Sequence, residues 1–119
     1  MILSFAWTSE VLLSGQKICT RRIWSNRTAQ TWLKAYNNGR LVHQAWDKCA
    51  FCHLAKKIAD IYLTQPIYQE LLCDLPESDL EAEGGLWASG QEFIDLFGGY
   101  SNRVVWVVWF ELVQAITQP

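Results

Sequence analysis

The chain has 119 residues, half of them hydrophobic, and a formal charge of −2. That length suits a single domain, 1–119, around one core, and that composition excludes an intrinsically disordered chain. No apolar run approaches the roughly 18 residues of a membrane span. The start, Met1 to Trp7, lacks the basic residues of a secretory signal and meets Glu10 early. The expectation is a cytoplasmic protein, away from membranes, with four reduced cysteines.

The small net charge hides an asymmetry. Between Gly15 and Lys57 lie nine bases and one acid, Asp47; between Glu70 and Asp95 lie eight acids and no base. A basic half suits phosphate, and opposite halves also suit holding each other together. Seven tryptophans exceed what a small core needs, so some are expected to line a pocket or a binding face.

In chain order, Ile2 to Phe5 reads as a short strand. Thr8 is placed to cap a short helix through Leu13, and Gly15 to close it in a left-handed turn. Lys17 to Trp24 is then extended. A helix follows from Ser25 to Tyr36, with Trp32, Ala35 and Tyr36 on one face, ended by Asn37-Asn38-Gly39. Leu41 to Trp46 is a strand, and 47–56 a loop. Ala59, Ile61 and Leu63 alternate with polar neighbours and Tyr62, the period of a half-buried strand ended before Pro66. Ile67 to Leu72 reads as a helical turn, and Pro76 as the first residue of a helix to Glu83. Ser89-Gly90-Gln91-Glu92 is a capping box for a helix through Phe97. Val104 to Val113 is apolar and β-branched, a central strand covered on both faces. The fold class is mixed α+β.

The densest chemistry lies in Gly15-Gln16-Lys17-Ile18-Cys19-Thr20-Arg21-Arg22. Residues two apart on a strand share a face, so Thr20 and Arg22 point one way and Arg21 the other. A threonine hydroxyl attacks only if a base takes its proton. Lys17 is a base only where burial or neighbouring positive charge lowers its pKa, and Arg22 supplies such charge. The plain alternative is a solvated basic strand edge.

Gly-x-Lys-x-x-Thr-x-Arg after a short helix resembles the ASCH domains (activating signal cointegrator homology) of the PUA-like superfamily. The acidic segment Leu75 to Gly85 and the final strand fit the same family. The resemblance implies a small mixed β-barrel flanked by short helices. Some ASCH proteins are amidohydrolases that remove an acyl group from the exocyclic amine of cytidine. Carried over, Thr20 is the nucleophile, Lys17 its base and Glu83 the proton donor to the leaving amine, with Arg22 at the carbonyl. Ribonuclease activity and non-catalytic RNA binding are the alternatives within this superfamily, and a protein-partner domain lies outside it. The helix 25–36 and the extra Arg21 depart from the compact amidohydrolase pattern. The ligand is thus expected to be a nucleoside or RNA, met also by Arg21, Trp24, Trp46, Lys48 and Trp87, with the tryptophans as base platforms or core.

Cys49-Ala50-Phe51-Cys52-His53 has the letters of a c-type haem site. Without an export signal that reading fails. Zinc on Cys49 and Cys52, with His43, His53, Cys19 or Cys73, lacks a second closely spaced ligand pair, so neither metal nor cofactor is expected.

Overall fold

The computed structural model describes residues 1–115. In chain order it holds β1 (Ile2–Ser4), α1 (Ser9–Leu13), β2 (Cys19–Arg22), α2 (Asn26–Asn37), β3 (Val42–Trp46), β4 (Lys57–Leu63), β5 (Tyr68–Leu71), α3 (Asp79–Ala82), α4 (Gly90–Leu96) and β6 (Val104–Ala115). β6 is the axis. Along one edge it pairs antiparallel first with β5 (Leu71 opposite Val104) and then with β4 (Leu63 opposite Phe110). Its other edge pairs antiparallel with β2 (Thr20 opposite Val108). β3 joins β4 antiparallel, and β1 joins β3 in parallel.

Val105 to Val108 are all buried, because both faces of β6 are covered. Trp106, Val108 and Phe110 face the main core with Leu3, Ile61 and the α2 residues Ala29 and Trp32. Val105 faces a second cluster with Leu72, Leu80, Phe93 and Ile94. Each covering helix is capped by a serine. Ser25 Oγ accepts from Thr28 N at 3.1 Å, and Ser89 Oγ from Glu92 N at 3.3 Å. Glu92 reaches back to Ala88 N, one residue short of a regular capping box.

Four expectations are corrected. The sheet is an open path, β1-β3-β4-β6-β2 with β5 also on β6, and not a closed barrel. Its end strands β1 and β2 are short and do not pair. Instead, Arg22 Nη2 donates to the Ser4 carbonyl at 2.7 Å, so a side chain spans the seam. The segment 67–72 is largely strand, because β6 offers an edge beyond the end of β4; a 3-10 turn follows at Leu72–Asp74. Pro76 lies in a turn ahead of α3, where Asp79 N donates to its carbonyl, and the helix proper has only four residues. Thr8 does not cap α1; its hydroxyl donates back to Phe5 O at 2.6 Å.

β2 is tied to the acidic half by Arg21, whose side chain is fully buried. It lies on the opposite face of β2 from Thr20 and Arg22. Its Nε donates to Glu70 on β5 at 2.8 Å, its Nη2 to Asp79 at 2.6 Å and its Nη1 to Glu83 at 2.9 Å. Burial disfavours its charge, but the bonds to Glu70 and Asp79 outweigh that, and its pKa rises. The opposite charges of the two halves thus meet inside the protein.

Removing one partner of a buried ionic cluster leaves the rest uncompensated, at a cost of about 3–5 kcal/mol. Arg21→Met should therefore lose about that much stability in urea unfolding at pH 7. A loss under about 1 kcal/mol would contradict the cluster's role.

Candidate functional site

The left-handed Gly15 (φ 84°) ends α1 and turns the chain into β2, with Lys17 N held by Val11 O at 3.0 Å. The Lys17 side chain is 4 % exposed. Its Nζ donates to Glu83 Oε1 at 2.9 Å and to the Glu83 carbonyl at 2.8 Å. That double contact depends on the following residues. Gly84 and Gly85 both have positive φ, and a Cβ on Gly84 would come within 2.9 Å of Val11 Cγ2. One on Gly85 would strike the Gln16 amide. Only glycines let the chain turn here against α1 and leave the Glu83 carbonyl aimed at Lys17.

Burial pulls the Lys17 pKa below the ordinary lysine value of 10.5; Glu83, bonded to it, pulls the other way, and Arg22 adds to the lowering. Thr20 stands on the same face of β2 as Arg22, whose Nε donates to Thr20 Oγ1 at 3.2 Å. The Arg22 guanidinium also sits 5.2 Å from the centre of the Phe5 ring, a cation–π contact. Burial lowers its pKa to about 10, against an opposing pull from Glu83.

These groups share one cavity of about 270 Å³. Lys17, Thr20, Arg21, Arg22 and Glu83 form its polar side, and Phe5, Trp7, Trp87 and Phe93 are among its aromatic walls. Trp87 is set edge-on to Trp7 at 5.8 Å and to Phe93 at 4.7 Å. Ala6, also on the wall, has φ 35°, a left-handed conformation costing of order 1–3 kcal/mol in a non-glycine residue. It turns the chain away from β1 and presents Trp7, which is 61 % exposed.

Of the residues singled out in the sequence, Lys17, Thr20, Arg21, Arg22, Glu83 and Trp87 meet here. Three do not. Trp24 stacks on Trp32 at 5.1 Å and lines a neighbouring cavity. Trp46 lies along β3, its Nε1 bonded to Gln44 on the same face. Lys48 is exposed in the loop beyond β3. The sequence reading missed Phe5, Trp7 and Phe93 as walls, and Glu70 and Asp79 as partners of Arg21. The paired aromatics Phe5 and Trp7 around a turn were the available signal for the wall; nothing local marked Glu70.

Cys19 is buried and points at Arg21, Sγ to Nη1 3.7 Å, and burial pushes its thiol pKa up. Cys49, Cys52 and Cys73 are exposed. Both ring nitrogens of His43 are engaged, with the Met1 ammonium and the Arg40 carbonyl. Among the described residues no three His, Cys, Asp or Glu side chains are grouped to hold a metal ion, and no helix is long and apolar enough to cross a membrane.

No family model and no curated protein matches the sequence. Among solved structures, the chain is similar to the crystal structure of protein EF3133 from Enterococcus faecalis V583, which carries the family name DUF984. The TM-score is 0.55 at 16% identity, over 92% of this chain and 69% of that one. At that identity the likeness shows the fold: a small α+β domain on a mixed six-stranded sheet.

Proposed function

We propose that the cavity binds a nucleoside and that the protein is an amidohydrolase acting on an N-acylated cytidine. The observation that carries this reading is the meeting of Lys17, Thr20, Arg22 and Glu83, from two distant segments, on one aromatic-walled cavity. Its volume lies just below the roughly 300–1,000 Å³ of pockets for drug-sized ligands, and so favours a small one. A planar base fits between aromatic walls, and its polar edge meets the Lys17–Glu83 side.

The charges favour a nucleoside unit over a phosphate-rich strand in this cavity. Lys17 and Arg21 are neutralised by Glu83, Glu70 and Asp79, and are not available to phosphate. This weighs against the ribonuclease and general RNA-binding readings at this site.

In the reaction, Thr20 Oγ attacks the acyl carbon and its proton passes to neutral Lys17 Nζ. The C–N bond breaks, and the departing cytidine amine takes a proton relayed from Lys17 through Glu83, 2.9 Å away. Water then hydrolyses the acyl-threonine ester and restores the hydroxyl. Arg22, whose Nε lies beside Thr20 Oγ1, stabilises the negative charge that develops on the acyl carbonyl oxygen. Burial of Lys17 makes the neutral amine accessible below the pH an exposed lysine would need.

Turnover of N4-acetylcytidine should therefore rise with pH as Lys17 loses its proton, with a midpoint below 10.5. Lys17→Ala should lower kcat by on the order of 100- to 10,000-fold. Thr20→Val should abolish turnover while cytidine still binds. Hydrolysis persisting in Thr20→Val would remove the nucleophile from the account. Cytidine binding without any wild-type hydrolysis would reduce the site to a binding pocket, and no cytidine binding would overturn the nucleoside reading.

A further inference from the structure

The loop between β3 and β4 carries chemistry that the first cavity does not use. It is pinned at its base, where Asp47 N donates to Lys56 O at 3.0 Å and Lys56 N to Asp47 Oδ1 at 2.9 Å. Inside that frame the chain makes two consecutive turns. Cys52 N donates to Cys49 O at 2.8 Å, and Ala55 N to Cys52 O at 3.2 Å. Leu54, in the second turn, is left-handed at φ 62°.

The first of these turns sets the spacing of two thiols. A turn closed from its first residue to its fourth keeps their Cα atoms under about 7 Å apart. A disulfide needs Cα atoms about 4.4–6.8 Å apart. The turn Cys49-Ala50-Phe51-Cys52 thus brings the two backbones within the reach of a bridge. The side chains meet as well: a hydrogen bond with Cys49 raises the pKa of Cys52, against a smaller lowering by Lys48. Cys52 keeps its proton for that bond, which leaves Cys49 as the attacking sulfur.

The surroundings limit what this pair can do. Both thiols are free and exposed, whereas Cys19 is buried and Cys73 is turned toward Asp74, Sγ to Oδ1 3.8 Å. Among the described residues no third His, Cys, Asp or Glu joins the pair, so it falls short of the four donors of a structural zinc site. Two-electron chemistry between the sulfurs remains. Cys49 lines the neighbouring cavity of about 300 Å³ with Phe51 and Trp24, so a small reactant has room beside it. An exposed bridge across so short a turn is labile and exchanges readily.

We propose that Cys49 and Cys52 form a dithiol–disulfide exchange site whose co-reactant is a small-molecule disulfide. The Cys49 thiolate attacks one sulfur of that disulfide. Its S–S bond breaks, and one half leaves with the electron pair and takes up a proton. Cys52 then loses its proton and attacks the Cys49 sulfur of the mixed disulfide, which expels the second half as a thiolate. The two cysteines are oxidised by two electrons, and the small disulfide is reduced to two thiols that end with the two cysteine protons. An excess of small thiol drives the same steps backwards. The proposal stands apart from the nucleoside reading of the first cavity.

The test equilibrates the full chain with glutathione and glutathione disulfide at several ratios, alkylates the remaining thiols and maps the products by mass spectrometry. Wild type should lose the Cys49 and Cys52 thiols together, without an adduct, and regain both in excess glutathione. Cys52→Ser should instead accumulate a mixed disulfide with glutathione on Cys49, because no second sulfur resolves it. Both cysteines are exposed, so the variant should fold. On the reduced wild type, a brief pulse of iodoacetamide should alkylate Cys49 at least about 5-fold ahead of Cys52. A glutathione adduct that persists on wild-type Cys49, a bridge that uses Cys73, or no oxidation at any ratio would overturn the inference. Cys52 alkylated as fast as Cys49 would overturn the assignment of the attacking sulfur.

Discussion

Glu83 holds the site together by a constraint of burial. Only 2 % of its side chain is exposed, and an ion removed from water costs several kcal/mol unless partners compensate it. The compensation comes from β2 and from the segment leading into it: Lys17 on Oε1, Arg21 on Oε2. Arg21 then carries the connection to Glu70 and Asp79, so one carboxylate and one guanidinium link β2, β5 and the α3 turn. Each element is short, three of them with four residues. Their mutual placement depends on this ionic contact beside the small cluster of Leu72, Leu80 and Phe93.

The same constraint divides the basic motif by task. Lys17 and Arg21 are spent on acids, which fixes geometry and removes their charge from the surface. Arg22 faces the other side of β2, spans the seam between β1 and β2, and keeps its charge. Two cations of the motif are thus paired with carboxylates, and the third bonds only a hydroxyl and a carbonyl.

Much of this was legible in the sequence. The alternation across Thr20, Arg21 and Arg22 gave the faces correctly, because a strand allows no other arrangement. Ser25, Ser89 and Gly15 lie at helix ends, as local chemistry suggests, whereas Thr8, read by the same chemistry, bonds Phe5 instead of capping α1. The apolar run from Val104 marked the central strand. Long-range pairing was less visible. Tyr68–Leu71 became a strand only because β6 extends past β4. Trp46 ended its strand beside Gln44 and not at the cavity, since a strand end in sequence does not say which side chains the opposite layer brings near. Arg21, the departure from the compact family pattern, proved to be the anchor of the acidic half.

The direct measurement is a side-chain NMR titration of the Lys17 ammonium in wild type and in Glu83→Gln. Burial lowers the Lys17 pKa and Glu83 opposes that lowering. The account predicts a wild-type midpoint below 10.5 and, in the folded variant, a further fall when the Glu83 charge is removed. A wild-type midpoint at or above the ordinary lysine value, or one that does not move in Glu83→Gln, would show that Lys17 is neither desolvated nor held by Glu83, and would contradict the account.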